Sequence, residues 1–212
     1  PTLYDNLQQM VFFLNSLGND VDISIISNGL FDFSIIEKCI KLGINRINIS
    51  AHAWNEKNAA VLGMSVKQLD LMKRNIKLLL EMKKLGKINY VYRNSVDDDE
   101  LFECIEWINE HKTVIDVLNV LGTKIGKYAS MEEIEKTIRN RINIQYEYIC
   151  YNKHSLPSKR LVLDNGGEIN LKVFPLNKMP PFKSCNNCEQ LNVCTEGIKA
   201  IRLKTDGTIK PC

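Results

Sequence analysis

The chain has 212 residues, 44% of them hydrophobic and 25% charged, which suits one ordinary globular domain long enough to bury a core. Its 28 basic and 25 acidic residues leave a formal charge of +3, excluding the dense basic stripe of a dedicated nucleic-acid binder, so no nucleic-acid partner is expected. The apolar runs are short and the N-terminus lacks the basic-then-apolar pattern of a signal peptide, so no membrane partner is expected.

In chain order, strand and helix signals alternate. Val21 to Ser27, Arg46 to Ser50, Ile88 to Tyr92 and Val114 to Val120 are β-branched runs of the kind found in strands buried on both faces. Ser34 with Glu37, Ser65 with Gln68 and Ser130 with Glu133 have the spacing of capping boxes, and Gly43 and Gly86 are expected helix stops. Between Ser65 and Gly86, Leu69, Met72, Ile76, Leu79 and Leu80 recur at helical spacing and predict one buried face. Asp97 to Glu100 reads as an acidic first turn favoured by the dipole of the helix that follows. This regular alternation implies right-handed crossovers and a parallel sheet. After about residue 140 the pattern turns to strands. Ile142 to Tyr151 alternates, a hairpin is expected around Asn165-Gly166-Gly167, and a second hairpin from Ile198 to Ile209 should turn at Asp206-Gly207.

Parallel sheets bind ligands at the carboxyl ends of their strands, where loops and helix N-termini converge. The first strand ends in Ser27-Asn28-Gly29, the second in Asn48-Ile49-Ser50-Ala51-His52, and the third runs through Asn89 towards Arg93 and Asn94. Together these outline a rim able to hydrogen-bond a polar ligand. His52 reads as a hydrogen-bonded structural residue rather than a base. No nucleophile–base set, phosphate loop or His-Glu-x-x-His motif appears.

Cysteine usage is the strongest chemical signal. There are seven, an odd number that with the absence of a signal pattern points to reduced thiols and a cytoplasmic location. Four follow the spacing Cys185-x2-Cys188-x5-Cys194-x12-Gly207-x4-Cys212. Four thiolates suit tetrahedral zinc or an iron–sulfur cubane, and the spacing does not separate the two. The hairpin over 199–210 would return Cys212 to the other three.

The order of motifs resembles the radical S-adenosylmethionine (SAM) enzymes. IISNGL is similar to their strand end TTNG, LGINRINIS to AGLDRVNVSLD, and KINYVYRNSVDDDEL to the segment N-V-V-x-x-G-x-N-D-D-E. AIRLKTDGTIKPC closely resembles the close of the GTP 3′,8-cyclases of molybdenum-cofactor synthesis. The similarity runs along essentially the whole chain in one order.

The resemblance implies an α/β fold: a partial (β/α)6 radical SAM barrel lacking its first strands over residues 1–140, and a β-rich auxiliary-cluster region over 141–212. It implies SAM held on the side of Ser27, Asn28, Gly29, Ser50 and Asn89, with Arg202 facing substrate. Cys185, Cys188, Cys194 and Cys212 would hold an auxiliary 4Fe-4S cluster, and a reductant such as flavodoxin or ferredoxin would supply electrons. The chemistry implied is a 5′-deoxyadenosyl radical that abstracts hydrogen from a small nucleotide or peptide substrate. The Cys-x3-Cys-x2-Cys loop of the SAM cluster would precede Pro1, so the chain is expected to be cut at its start, and equally at Cys212. The closing stretch departs from the cyclases: Ile198 stands for a cluster cysteine and Ala200 for one of two GTP-contacting arginines, leaving Arg202. The cysteine spacing itself resembles the SPASM and twitch extensions of peptide-modifying radical SAM enzymes. The alternatives are therefore a peptide maturase and, in another class, a non-catalytic zinc-binding module.

Overall fold

Each β-branched run forms a strand, and the strands join edge to edge into one sheet with the order β1-β2-β3-β4-β7-β6-β5. The computed structural model describes residues 5–18, 21–93, 98–120, 128–151 and 157–172, together with the backbone of 202–203 and 209–210. The strands are β1 (Ser24–Ser27), β2 (Arg46–Ser50), β3 (Leu85–Tyr92), β4 (Val114–Asn119), β5 (Ile144–Cys150), β6 (Ser158–Leu163) and β7 (Glu168–Lys172). The helices are α1 (Leu7–Ser16), α2 (Phe33–Lys41), α3 (Glu56–Val61), α4 (Val66–Glu81), α5 (Asp98–Glu110) and α6 (Met131–Arg139). β1 to β4 pair in parallel, as the alternating pattern requires, and β7 adds parallel to β4. β6 and β5 then continue the sheet in antiparallel pairing. The sequence pattern changes near residue 140, but the hydrogen-bonded sheet runs on without a break. Further along, β8 (Arg202–Leu203) and β9 (Ile209–Lys210) pair antiparallel, as a hairpin there demands.

The helices start where their side chains satisfy free N–H groups. Ser65 and Ser130 form complete capping boxes with Gln68 and Glu133. At α2 the expected Ser34–Glu37 box is replaced by Asp32, whose carboxylate accepts from the Ser34 N–H at 2.9 Å. Glu37 instead pairs with Lys41 one turn on. After α4 the left-handed residue is Lys83, with φ of 55°, and not Gly86, which lies inside β3. Asn75 joins Leu69, Met72, Ile76 and Leu79 on the buried stripe of α4, where Leu80 was expected.

β2, β3, β4 and β7 each carry consecutive buried residues and so are buried on both faces, as expected, whereas β1 alternates between exposed and buried residues. Ile25, Ile47, Ile49, Ile88, Tyr90, Ile115, Val117, Ile169, Leu171 and Leu161 share one face and one core with Ile36, Ile76, Leu101, Ile105 and Ile134 of the helices. The opposite face carries Asn48, Ser50, Lys87, Asn89, Asp116, Asn170 and Arg160.

A β-bulge sets this division at the β2–β3 junction. Ile47 pairs with Leu85 and Asn48 with Lys87, so Gly86 is the extra residue. A Cβ on Gly86 would lie 2.4 Å from Asn48 Oδ1, closer than any real contact. Gly86→Ala should therefore displace the Asn48 amide and destabilise the fold by about 1–3 kcal/mol, read as a lower urea midpoint with an unchanged slope.

Candidate functional site

Polar side chains on the face opposite the helical core follow the hydrogen-bond register across the sheet. Ser50 lies opposite Asn89, Asn89 opposite Asp116, Asp116 opposite Asn170, Asn170 opposite Arg160, and Arg160 opposite Tyr148. Directly opposed side chains sit within interaction distance, so this is one continuous row across six strands. Lys87 donates to Asp116 Oδ2, and Asn170 Nδ2 donates to Asp116 Oδ1 at 2.8 Å. Asn48, Asn89, Asp116 and Asn170 are all buried. Such groups are stable in a protein interior only when hydrogen-bonded, and Asn48 Oδ1 and Asn170 Oδ1 have no partner among the described residues.

The loops at the carboxyl ends of the strands are held from behind. Ser27 ends β1 on the helix-covered face, and its Oγ accepts from the Gly29 N–H at 3.3 Å. Asn28 is exposed in the turn and accepts from Leu30 N–H at 3.1 Å. Gly29 adopts a φ of +78°, which favours glycine. Asn75, buried on α4, donates to the Gly29 and Phe31 carbonyls at 2.8 and 2.9 Å, pinning this turn to the helix behind it.

The next loop depends on Glu100. It lies in the acidic first turn of α5, as expected, but its side chain is 1% exposed. Oε1 accepts from the backbone N–H groups of Trp54 and, at 2.8 Å, Asn55, while Oε2 accepts from Asn58 Nδ2 and Tyr90 Oη, each at 2.8 Å. Arg93 approaches Oε2 at 3.6 Å and also donates to the His52 carbonyl at 3.3 Å. One carboxylate thus ties α5 to β3 and to the loop that carries His52. Burial, with the nearby Arg93 charge as a second cause, holds His52 below its ordinary value of 6.5, and its Nδ1 has no partner among the described residues.

Ser50 and Asn89 therefore stand side by side on the polar face, Asn28 and Gly29 form the neighbouring turn, and Ser27 supports that turn from the helix side. Arg202 lies in β8, its side chain outside the described residues, and Cys185, Cys188, Cys194 and Cys212 lie outside them altogether. Among the described residues no group of three or more His, Cys, Asp or Glu could hold a metal ion. No helix of the described residues is long and apolar enough to cross a membrane.

Sequence reasoning passed over Asp116, Asn170 and the buried role of Glu100. Asn170 carried a readable signal, lying two positions from Glu168 and from Lys172 in an alternating run, whereas Asp116 stands alone among apolar neighbours. Glu100 carried none, because its donors come from residues more than forty positions away as well as from Tyr90.

No protein-family model matches the chain. Curated relatives do. It is 26% identical over 219 aligned residues, 100% of this chain and 61% of the other, to the GTP 3′,8-cyclase of Helicobacter pylori strain J99. It is 29% identical over 222 residues, 100% of this chain and 62% of the other, to a probable GTP 3′,8-cyclase of Metallosphaera sedula. A probable GTP 3′,8-cyclase of Thermoplasma volcanium is 23% identical over 204 residues, 89% of this chain and 59% of the other. The chain thus spans about three fifths of the length of the curated relatives it matches.

Two outcomes follow from this geometry. Glu100→Ala strands the buried backbone N–H groups of Trp54 and Asn55 and the Asn58 amide, and should cost about 3–5 kcal/mol, seen as a large fall in thermal midpoint with Glu100→Gln intermediate. Because folded His52 resists protonation, the unfolded chain binds the extra proton as pH drops below 6.5, so stability falls with falling pH there. His52→Gln should flatten that part of the curve in denaturation series between pH 7 and pH 5.

Proposed function

We propose that this chain is the α/β portion of a radical SAM enzyme related to the GTP 3′,8-cyclases, with the polar face of the sheet as its ligand side. The observation that carries the reading is the in-register polar row on the face of the sheet opposite the helical core, in a chain similar over its whole length to proteins named for a nucleotide cyclisation. The peptide-maturase and zinc-module alternatives gain no support from those relatives.

The residues at the strand ends fit a polar, zwitterionic cofactor. Ser50 offers a hydroxyl, Asn89 beside it an amide, and the Asn28-Gly29 turn a close approach of backbone. When bound and reduced, SAM would supply a deoxyadenosyl radical for hydrogen abstraction. This chain's part is to orient: Asn75 fixes the Gly29 turn, Glu100 fixes the His52 loop, and Arg202 would face substrate. A guanidinium pairs well with phosphate or carboxylate through charge-assisted bonds.

In this reading the sheet is a partial (β/α)6 barrel. Its support is the edge position of β1 together with Met10, Phe12, Phe13 and Leu17 exposed on and just beyond α1, where a further strand and helix would add. Cys185, Cys188, Cys194 and Cys212 would hold the auxiliary 4Fe-4S cluster, their spacing supporting a metal site and the resemblance to radical SAM enzymes favouring iron, and flavodoxin or ferredoxin would be the reductant.

The full-length protein, purified anaerobically, should contain iron and acid-labile sulfide and bind SAM. Ser50→Ala and Asn28→Ala should each weaken SAM by about tenfold, the worth of one hydrogen bond. Parent-like SAM affinity in both variants, or stoichiometric zinc without sulfide, would defeat the assignment.

A further inference from the structure

The strongest unassigned feature of the polar face is Asn170. It lies on β7 between Asp116 of β4 and Arg160 of β6 and is 8% exposed. Asp116, 4% exposed, is fully engaged: Lys87 supplies a cation to one oxygen and Asn170 an amide N–H to the other. A carboxylate can only accept, so the Asn170 NH2 must face Asp116. Its Oδ1 is thereby turned away, and it has no hydrogen-bond partner among the described residues.

The chemistry of this subsite differs from a bare cationic patch. Asp116 compensates the Lys87 ammonium, so the anion-binding capacity is already used within the protein. What remains is a buried acceptor in a fixed orientation. Leaving such an acceptor unmet carries its full desolvation penalty, and the locked amide cannot rotate to relieve it without breaking its bond to Asp116. A site of this kind selects a ligand that brings a donor, because an analogue lacking the donor leaves the acceptor stranded.

We propose that Asn170 is a substrate-recognition residue, its Oδ1 accepting a hydrogen bond from an N–H or O–H group of a nucleotide, with Asp116 as the positioning residue that orients it. This rests on the reading that the polar face is the ligand side of a radical SAM enzyme. A purine nucleotide carries suitable donors on its base and ribose.

The test is equilibrium binding to the anaerobic full-length protein, with GTP and SAM as separate probes, for the parent, Asn170→Leu and Asn170→Ser. Leu keeps the branching at Cγ but removes both the acceptor and the donor to Asp116. Ser can still donate to Asp116 while vacating the acceptor position, and so reads the same point if Leu impairs folding. The expected result is about tenfold weaker GTP binding in each folded variant, with SAM affinity within about twofold of the parent. Parent-like GTP affinity in the variants overturns the proposal, since water would then be meeting the acceptor. Equal loss of SAM and GTP in variants with parent-like melting overturns it too, placing the acceptor on the cofactor. A parent that binds SAM but not GTP refutes nucleotide recognition by Asn170 and leaves the radical SAM reading standing. A parent that binds neither defeats that reading, and this inference falls with it.

Discussion

The Glu100 carboxylate is the interaction on which the site end of the sheet depends. It gathers two backbone N–H groups from the β2–α3 loop, the Asn58 amide, the Tyr90 hydroxyl and the Arg93 guanidinium around two oxygens. These donors converge on one carboxylate in a dry interior, so the loop, the end of β3 and the start of α5 are held together by one charge. A surface ion pair would contribute little by comparison, because solvent screens it and two long side chains must be ordered. Burial makes Glu100 costly to remove and specific in what it holds.

The sheet separates two jobs by the pleat alone. Successive side chains alternate, so the residues that pack against the helices and those that form the polar row are neighbours in sequence but never in space. Ile115 and Val117 face the helices, and Asp116 between them faces the row. The bulge at Gly86 preserves this alternation by absorbing one residue, which puts Lys87 on the same face as Asn89 and within reach of Asp116. Without it, a one-residue slip would send Lys87 into the apolar layer.

Local chemistry was readable from the residues, and long-range chemistry was not. The β2 run is found at the expected residues and two of the three capping boxes form as written, because alternation and capping depend on positions a few residues apart. Asp32 displaced Ser34 as the α2 cap because a cap needs extended backbone, which only the surrounding turn decides. Lys83 took the left-handed position because α4 ends at Glu81, five residues before the glycine that was expected to stop it. The isoleucine- and valine-rich runs of β2, β3 and β4 mark strands buried on both faces, as found, but that one of those faces is polar emerges only when the register aligns Asp116 with Asn170. The strand ends Ser50 and Asn89 were identified because that location follows from topology. Asn75 and Glu100, which hold the loops in place, were not, since their partners are remote in the chain.

That division also explains how such a scaffold tolerates sequence change. Identities of 22–29% to the cyclases leave most positions different, yet an apolar face needs only volume and hydrophobicity, which many residues supply. The polar row obeys a stricter rule: every buried donor and acceptor needs a partner, so a change at one position alters what its neighbours require. Substituting Asn170 changes what Asp116 can hold, and hence how Lys87 is compensated, while the helical core behind the sheet is untouched. Changes along the row therefore come in coupled steps, separate from those of the helical core. The rim loops are less free, because Glu100 and Asn75 bind them to the same helices that close the core.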